Sequence, residues 1–208
     1  MCKSKYILTL ILALLLSIYC NGGPTIQNGP NDLAAFLHEY LAIKYKLHDI
    51  NEVLYVSIKR QKLYHIKGDQ IINEYLISSS KKGIGNSERS FQTPIGLHRI
   101  KEKIGNDIPQ GGIFDHRQFT GKVYNSENPN SQKDLITSRI LWLQGLENGY
   151  NSGSGSDSYE RCIYIHGTHE EYLIGTPASH GCIRMRNNEV IQLFEKVPIG
   201  TYVVILNN

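Results

Sequence analysis

The sequence has little excess charge of either sign, and this balance excludes one class of function. Its 208 residues include 22 lysines and arginines against 19 aspartates and glutamates, a formal net charge of +3. Lys3 and Lys5 fall in the N-terminal leader described below, so the remainder of the chain carries a net charge of about +1. A nucleic-acid-binding protein would show a basic footprint, so we expect no nucleic-acid partner.

Long apolar runs are also scarce, and the one that exists lies at the N-terminus. Residues 6–19 are apolar apart from Thr9 and Ser17, and Lys3 and Lys5 precede them. This run has the length of a signal-peptide core and is short for a membrane span. The sequence therefore predicts a signal peptide over residues 1–20 and an exported protein of the periplasm or cell envelope.

Cys20 leaves the fate of this leader open. Acylation of Cys20 after cleavage would produce a lipoprotein, and that lipid would be the chain's only membrane contact. Tyr19 argues against it, because lipoprotein processing favours a small residue there. Cleavage near Gly22 or Gly23 would instead release a soluble protein.

Cysteine is sparse as well, with only four residues, two of them in the leader. Cys162 and Cys182 remain, and in an exported protein a disulfide is the default interpretation. However, Cys162 lies on a predicted strand four residues before His166, a separation of roughly 13 Å. If His166 reaches Cys182, Cys162 is then too distant unless the chain bends, and we favour Cys162 as a small buried apolar residue.

Strand signals dominate the rest of the chain, which shows no internal repeat. Residues 21–50 are predicted to be a linker followed by a helix over 32–46, and residues 51–208 a single domain. A second helix is predicted over 189–196. Short β-branched and aromatic segments predict strands at 53–59, 62–67, 71–79, 97–101, 136–144, 161–165 and 201–206. We expect a mainly β fold, an antiparallel sandwich or barrel-like domain with two short helices.

Residues 103–134 are rich in glycine and proline and contain few apolar runs. The composition predicts a loop-rich segment that could cover a cleft as a lid. Its His116 and Arg117 are possible substrate contacts, although a surface position is the simpler interpretation.

Chemistry is concentrated between His166 and Arg186, in the segment HGTHEEYLIGTPASHGCIRMR. Cys182 is the candidate nucleophile, and because a free thiol has a pKa of about 8.5 it needs a base. His166, at the end of the predicted strand, can serve as that base, with its second ring nitrogen bound to a backbone carbonyl such as that of Gly167. The N–H groups of Gly181 and Cys182 could form an oxyanion hole.

Two alternatives remain open on local chemistry alone. The cysteine and histidines could simply be structural, or Cys182, His180, His166 and His169 could bind zinc. The spacing is unusual for zinc, because His180 and Cys182 flank a single glycine and would point apart.

The segment Ser179–Met185 (SHGCIRM), preceded by Ile165–Thr168 (IHGT) and Ile174-Gly175, resembles the signature of the bacterial L,D-transpeptidases with a YkuD-type catalytic domain. Thr93–Gly96 (TPIG) is similar to another family segment, and the likeness covers roughly residues 53–206. Two features depart from the general pattern. The loop from His166 to Ser179 is short, and Arg184 stands where some members carry asparagine.

The resemblance implies a cysteine transpeptidase that acts on peptidoglycan stem peptides without a metal or organic cofactor. Cys182 would attack the carbonyl before the terminal D-alanine, and the resulting thioester would pass to an amine. That amine would belong to a second stem peptide or to a lysine of an envelope protein. A hydrolase with water as the acceptor and a wall-binding module without catalysis are the alternatives, and a carbapenem is expected to acylate Cys182.

The resemblance also assigns roles around the nucleophile. His180 would orient the loop or assist at the oxyanion, and Ser179 would hydrogen-bond within the loop. Arg184 would grip a substrate carboxylate or, equally, anchor the loop. Ser179 and Thr168 are further candidates for substrate binding, and Gly167 and Gly181 complete the predicted catalytic set.

Overall fold

The computed structural model describes residues 30–124 and 134–208. The predicted leader, Cys20 and residues 125–133 of the predicted lid lie outside the described residues. The elements, in chain order, are α1 (Pro30–Tyr45), β1 (Glu52–Ser57), β2 (Lys62–Lys67), β3 (Gln70–Leu76), β4 (Gly96–Ile104), β5 (Gly112–Asp115), β6 (Gln118–Val123), β7 (Ile136–Gly145), β8 (Tyr164–Thr168), a 3₁₀ turn (Glu171–Leu173), β9 (Ile183–Met185), α2 (Asn187–Lys196) and β10 (Tyr202–Leu206).

The strands of the described residues join in one curled sheet. Their order is β3-β2-β1-β10-β4-β7-β5-β6, and β8 adds to β7 and carries β9 on its other side. Neighbouring strands run antiparallel except for the pairs β1–β10 and β8–β9, which are parallel. The predicted mainly β fold is confirmed, and so are both predicted helices.

One face of the sheet forms the main core. Alternate residues of the central strands point to this face, because side chains of a strand alternate between the two sides. Helix α2 covers it, since its buried residues recur at helical spacing. The resulting cluster includes Leu54, Leu143, Ile165, Ile183, Met185, Val190, Leu193, Phe194 and Val203.

The opposite face is divided between two coverings. Over β1, β2 and β10 it is covered by α1, whose Ala34, Leu37 and Leu41 are fully buried. Over β5, β7 and β8 it carries a smaller cluster of Phe114, Ile140, Trp142 and Tyr164, against which Cys162 and Cys182 pack. The candidate site therefore lies on the half of this face that α1 does not cover. Neither helix in the described part of the chain is long and apolar enough to cross a membrane.

One local prediction is wrong, and one hairpin was missed. The strand predicted over 161–165 begins only at Tyr164 and runs to Thr168, so His166 lies at its centre rather than its end. The strand starts later than predicted because the chain bends at Cys162, the last residue of a turn, where φ is 56°. It ends later because its pairing with β9 continues beyond His166. The described part of residues 103–134 contains the β5–β6 hairpin, which was not predicted. Every residue of β6 is exposed, so its sequence has no burial alternation to reveal a strand.

Candidate active site

The strand register places Cys182 and His166 on the same face of the sheet. Ile165 pairs with Ile183 and His166 with Arg184 across the parallel strands β8 and β9. Cys182 comes directly before β9, so its side chain shares the face of Arg184 and His166, opposite the core residues Ile165 and Ile183. Diagonal neighbours on one face are about 7–8 Å apart, a distance that side chains can bridge.

The Cys182 sulfur rests against the backbone at the start of β8. It accepts a hydrogen bond from the Tyr164 N–H at 3.4 Å, and its thiol lies 3.4 Å from the Cys162 carbonyl oxygen. The residue as a whole keeps partial exposure. Burial raises the pKa of Cys182 to about 12, against the opposing effect of the Tyr164 N–H, and the charge of Asp134 adds to the rise. The resting thiol is therefore protonated, and a reaction through its sulfur would need a base.

His166 has the properties of that base. It is only 1% exposed, and its Nδ1 lies 2.7 Å from the Gly167 carbonyl oxygen, the partner that the sequence suggested. A carbonyl only accepts, so Nδ1 carries the proton and Nε2 carries the lone pair. Burial lowers the pKa of His166, and Asp134 and the Gly167 carbonyl offset this only in part. The neutral imidazole is thus the form present at neutral pH.

A buried amide fixes the backbone that orients His166. Asn187 Oδ1 accepts hydrogen bonds from the hydroxyls of Thr137 and Ser138, both at 2.6 Å, and its Nδ2 donates to the Thr168 carbonyl at 2.8 Å. A Cβ on Gly167 would lie 2.5 Å from that Oδ1, so only glycine fits. Asn187 was not predicted as a site residue, because these partners are 19 to 50 residues away along the chain.

The loop before Cys182 is fastened by Ser179. Its buried hydroxyl donates to the Cys182 carbonyl at 2.6 Å and accepts from the Gly181 N–H at 3.2 Å. The predicted hydrogen bond within the loop is present, and substrate binding by the buried Ser179 stays a prediction. The Gly181 N–H already donates to Ser179, and its part in an oxyanion hole also stays a prediction. The Cys182 N–H remains the other predicted donor.

Arg184 is bound by two carboxylates of the chain. Its side chain is 1% exposed, and its guanidinium binds Glu170 Oε2 at 2.8 and 3.0 Å and Asp134 Oδ1 at 2.9 Å. Both carboxylates belong to the chain itself, and these contacts fit the alternative role of a loop anchor, whereas binding of a substrate carboxylate by Arg184 stays a prediction. Thr168 is fully buried and accepts a hydrogen bond from the Glu170 N–H, and its predicted contact with substrate is likewise untested.

His180 is half-exposed and is held from one side. Its Nδ1 lies 3.1 Å from Asp134 Oδ2, and its ring meets that of Phe91 edge-on at 6.4 Å. This supports the orienting role predicted for His180. Asp134 was not predicted at all, because nothing near it in the sequence indicates its contacts with residues 46 and 50 positions away.

Cys162 lies closer to the nucleophile than the sequence suggested. The bend at Cys162 brings its carbonyl against the Cys182 thiol, although both cysteines are free and Cys162 is only partly buried. Arg117 Nη1 lies 3.5 Å from the Cys162 sulfur and 3.1 Å from the Tyr164 hydroxyl. Arg117 therefore packs beside the site, whereas His116 is exposed and pairs with Asp115.

Within residues 30–124 and 134–208, no three histidine, cysteine or acidic side chains converge to hold a metal ion. Of the four residues considered for zinc, His180 instead faces Asp134, and the ring of His169 packs on that of Tyr124.

A pocket of about 240 Å³ adjoins the nucleophile's loop. It is lined by Glu88, Arg89, Phe91, Glu160, Arg161, Ile163 and His180. Ile163 also contacts the position that a Cβ on Gly181 would take, at 3.5 Å. An extended ligand could therefore lie in this pocket and approach the loop that carries Cys182.

The family model of the YkuD L,D-transpeptidase catalytic domain matches residues 51–205. The chain belongs to this family. YbiS of Escherichia coli strain K12, described as a probable L,D-transpeptidase, is 54% identical over 43 residues, which are 21% of this chain and 14% of YbiS. ErfK/SrfK of the same strain, described in the same way, is 47% identical over 47 residues, 23% of this chain and 15% of its own. The matches thus span well under a third of these relatives.

Among solved structures, an L,D-transpeptidase from Mycobacterium smegmatis aligns with 75% of this chain and 58% of its own. It has a TM-score of 0.47 and 15% sequence identity. The family membership therefore rests on the sequence match, which includes both His166 and Cys182.

Proposed function

We propose that this protein is an L,D-transpeptidase that acts on peptidoglycan tetrapeptide stems through a thioester on Cys182. The observation that carries the proposal is the family match over a site where Cys182 and a buried, neutral His166 share one sheet face. The fold alone would not suffice, because unrelated functions share folds.

In the first half-reaction, the Cys182 sulfur attacks the carbonyl between the third residue of the stem and the terminal D-alanine. His166 Nε2 takes the thiol proton as the carbon–sulfur bond forms, and returns it to the amine of D-alanine as the carbon–nitrogen bond breaks. The Cys182 N–H faces the developing oxyanion. D-alanine leaves, and the tripeptide acyl group stays on sulfur.

In the second half-reaction, an amine attacks the thioester and His166 accepts its proton, which is then returned to the Cys182 sulfur. The amine comes from a second stem, which gives a 3–3 cross-link, or from a lysine of an envelope protein. If water took its place, the enzyme would be a carboxypeptidase, so exclusion of water from the acyl-enzyme decides the outcome.

The test is to incubate purified protein with disaccharide-tetrapeptide and to measure the molecular masses of the products. Cross-linked dimer with free D-alanine is expected from the wild type, and neither from Cys182→Ala of equal thermal stability. A tripeptide product without dimer would show that the protein is a hydrolase instead of a transpeptidase. Unchanged substrate, or full turnover by Cys182→Ala, would refute the assigned chemistry.

Acylation by a carbapenem provides a second, substrate-independent test of the nucleophile. The β-lactam carbonyl would take the place of the stem carbonyl, and ring opening would leave the whole drug bound to sulfur. The intact mass of the wild type should rise by the mass of one carbapenem, and that of Cys182→Ala should not. An unchanged wild-type mass would count against the proposed thiol chemistry.

We further propose that residues 1–20 direct the chain out of the cytoplasm and into the compartment that contains its peptidoglycan substrate. Fractionation of cells that express the full chain should place the protein in the periplasm or the envelope. Loss of membrane association in Cys20→Ser would identify a lipoprotein, and an unchanged soluble periplasmic pool would identify ordinary cleavage. Retention of the full chain in the cytoplasm would refute export.

A further inference from the structure

We propose that Asp134 is a positioning residue of the active site, which holds the nucleophile's loop through His180 and Arg184 and acts on the base His166 by its charge. The proposal rests on the function proposed above. Both carboxylate oxygens are used, Oδ2 toward His180 at 3.1 Å and Oδ1 toward Arg184 at 2.9 Å.

The placement of Asp134 joins three parts of the site. It lies two residues before β7, which pairs with β8, the strand that carries His166. His180 stands two residues before Cys182, and Arg184 two residues after it on β9. One carboxylate therefore grips the nucleophile's segment on both sides of the sulfur. The Asp134 side chain is 19% exposed, so water screens these contacts only weakly.

Asp134 also acts on the base, His166, through its charge. The charged groups that face His166 are Asp134, from the segment before β7, and Arg184, from β9, and they act in opposite directions. Burial on its own would raise the pKa of Asp134, but His166, Arg184 and His180 together lower it below its usual value. Asp134 is therefore ionised at neutral pH, and its charge favours the imidazolium that forms when His166 takes the thiol proton.

Glu170 provides a matched control. It also binds Arg184, at 2.8 and 3.0 Å, and it is buried to a similar degree, with 27% of its side chain exposed. Unlike Asp134, it is not among the groups that shift the pKa of His166 or of Cys182. Asp134→Asn and Glu170→Gln each remove one carboxylate from Arg184, but only the first removes a charge that acts on the catalytic pair.

The decisive measurement is the pH dependence of kcat/KM for transpeptidation. Asp134→Asn should lose about tenfold or more at neutral pH, because the imidazolium that forms when His166 takes the thiol proton loses a stabilising charge. Its acidic limb should also move to lower pH, because the charge that raised the His166 pKa is gone. Whatever rate Glu170→Gln loses, its acidic limb should coincide with that of the wild type.

A second readout does not require turnover. Alkylation of Cys182 by iodoacetamide at pH 8, followed by mass mapping of the Cys182 peptide, reports the thiolate fraction. Removing the negative charge of Asp134 should lower the thiol pKa, so Asp134→Asn should be alkylated faster while it turns over more slowly. Glu170→Gln should be alkylated at the wild-type rate.

Coincident acidic limbs and equal alkylation rates in Asp134→Asn and the wild type would overturn the role of Asp134, as would equal shifts in the two variants. Thermal unfolding of each variant checks that the folds are equivalent. If the wild type shows no transpeptidation, the proposed function fails, and the alkylation comparison still decides whether Asp134 acts on Cys182.

Discussion

Replacement of Gly167 by alanine should damage both the fold and the site, and its cost can be worked from the structure. The added Cβ would lie 2.5 Å from Asn187 Oδ1 and 2.7 Å from the Thr137 carbonyl oxygen, far inside normal contact. Thr137 is the residue that pairs with Gly167 across the β7–β8 ladder. The second contact is with backbone, so no side-chain rotation relieves it, and the two strands must separate.

Two costs then add. Overpacking in a filled core costs about 1–3 kcal/mol, and displacement of Asn187 leaves buried polar groups unpaired at about 1–3 kcal/mol. We expect Gly167→Ala to lose about 2–6 kcal/mol of unfolding free energy, a large part of the stability of a domain of this size. Since each kcal/mol corresponds to about 2–4 °C here, the Tm should fall by about 4–24 °C.

Urea and thermal unfolding measure this loss, and Gly68→Ala is the control. Gly68 has a positive φ of 53° but open space around its Cβ position, so alanine there should cost only the backbone strain of about 1–2 kcal/mol. Gly167 lacks a positive φ, so its cost comes from the close contacts and the displaced Asn187 and not from backbone strain. If Gly167→Ala were no less stable than Gly68→Ala, the close approach of Asn187 to β8 would be refuted.

Three further outcomes are expected. His166→Ala should lower kcat by at least about 100-fold without loss of fold, because general-base catalysis is worth about 10²–10⁴; near-normal turnover would mean another base. Cys182→Ser should abolish the carbapenem mass shift while Cys162→Ser keeps it, and the reverse would move the nucleophile to Cys162. Burial lowers the pKa of His98 from 6.5 to about 4. The unfolded state therefore binds an extra proton as pH falls through this interval, and unfolding free energy should drop by about 3 kcal/mol between pH 6.5 and 4. The dependence of the unfolding free energy on pH should be weaker in His98→Asn. An unchanged dependence would mean that other groups cause the acid sensitivity.

The parts of the fold that the sequence predicted are those that the local pattern determines. Helix α1 repeats its apolar residues at helical spacing, and strands β1 and β2 are short runs of β-branched, aromatic and other apolar residues, so their predicted bounds were close to those found. Hairpin β5–β6 was missed because β6 is exposed throughout and β5 is only four residues long with Phe114 as its one buried side chain, so little apolar pattern marks the hairpin. The bend at Cys162 was missed because its positive φ occurs at a cysteine, where no composition rule indicates it.

The same distinction between features determined by the local sequence and features determined by distant residues applies to the site. Cys182, His166 and the Gly167 carbonyl lie within one segment, so their chemistry could be predicted from order and spacing. The partners of Arg184 could not, because Asp134 is 50 residues away and only the register of β7, β8 and β9 brings it near. Without these carboxylates in view, a buried arginine beside a nucleophile is indistinguishable from one that binds substrate.

For the proposed thiol chemistry, the shifted pKa values of Cys182 and His166 favour one form of activation. Burial raises the pKa of the Cys182 thiol to about 12 and lowers the pKa of His166. Both shifts favour the neutral thiol and the neutral imidazole over a preformed thiolate–imidazolium pair. We therefore expect proton transfer to accompany attack on the carbonyl instead of preceding it. Such a step depends on the aim of His166 Nε2, and this gives a reason for the glycine, amide and carboxylate that hold the imidazole and the nucleophile's loop on a rigid sheet.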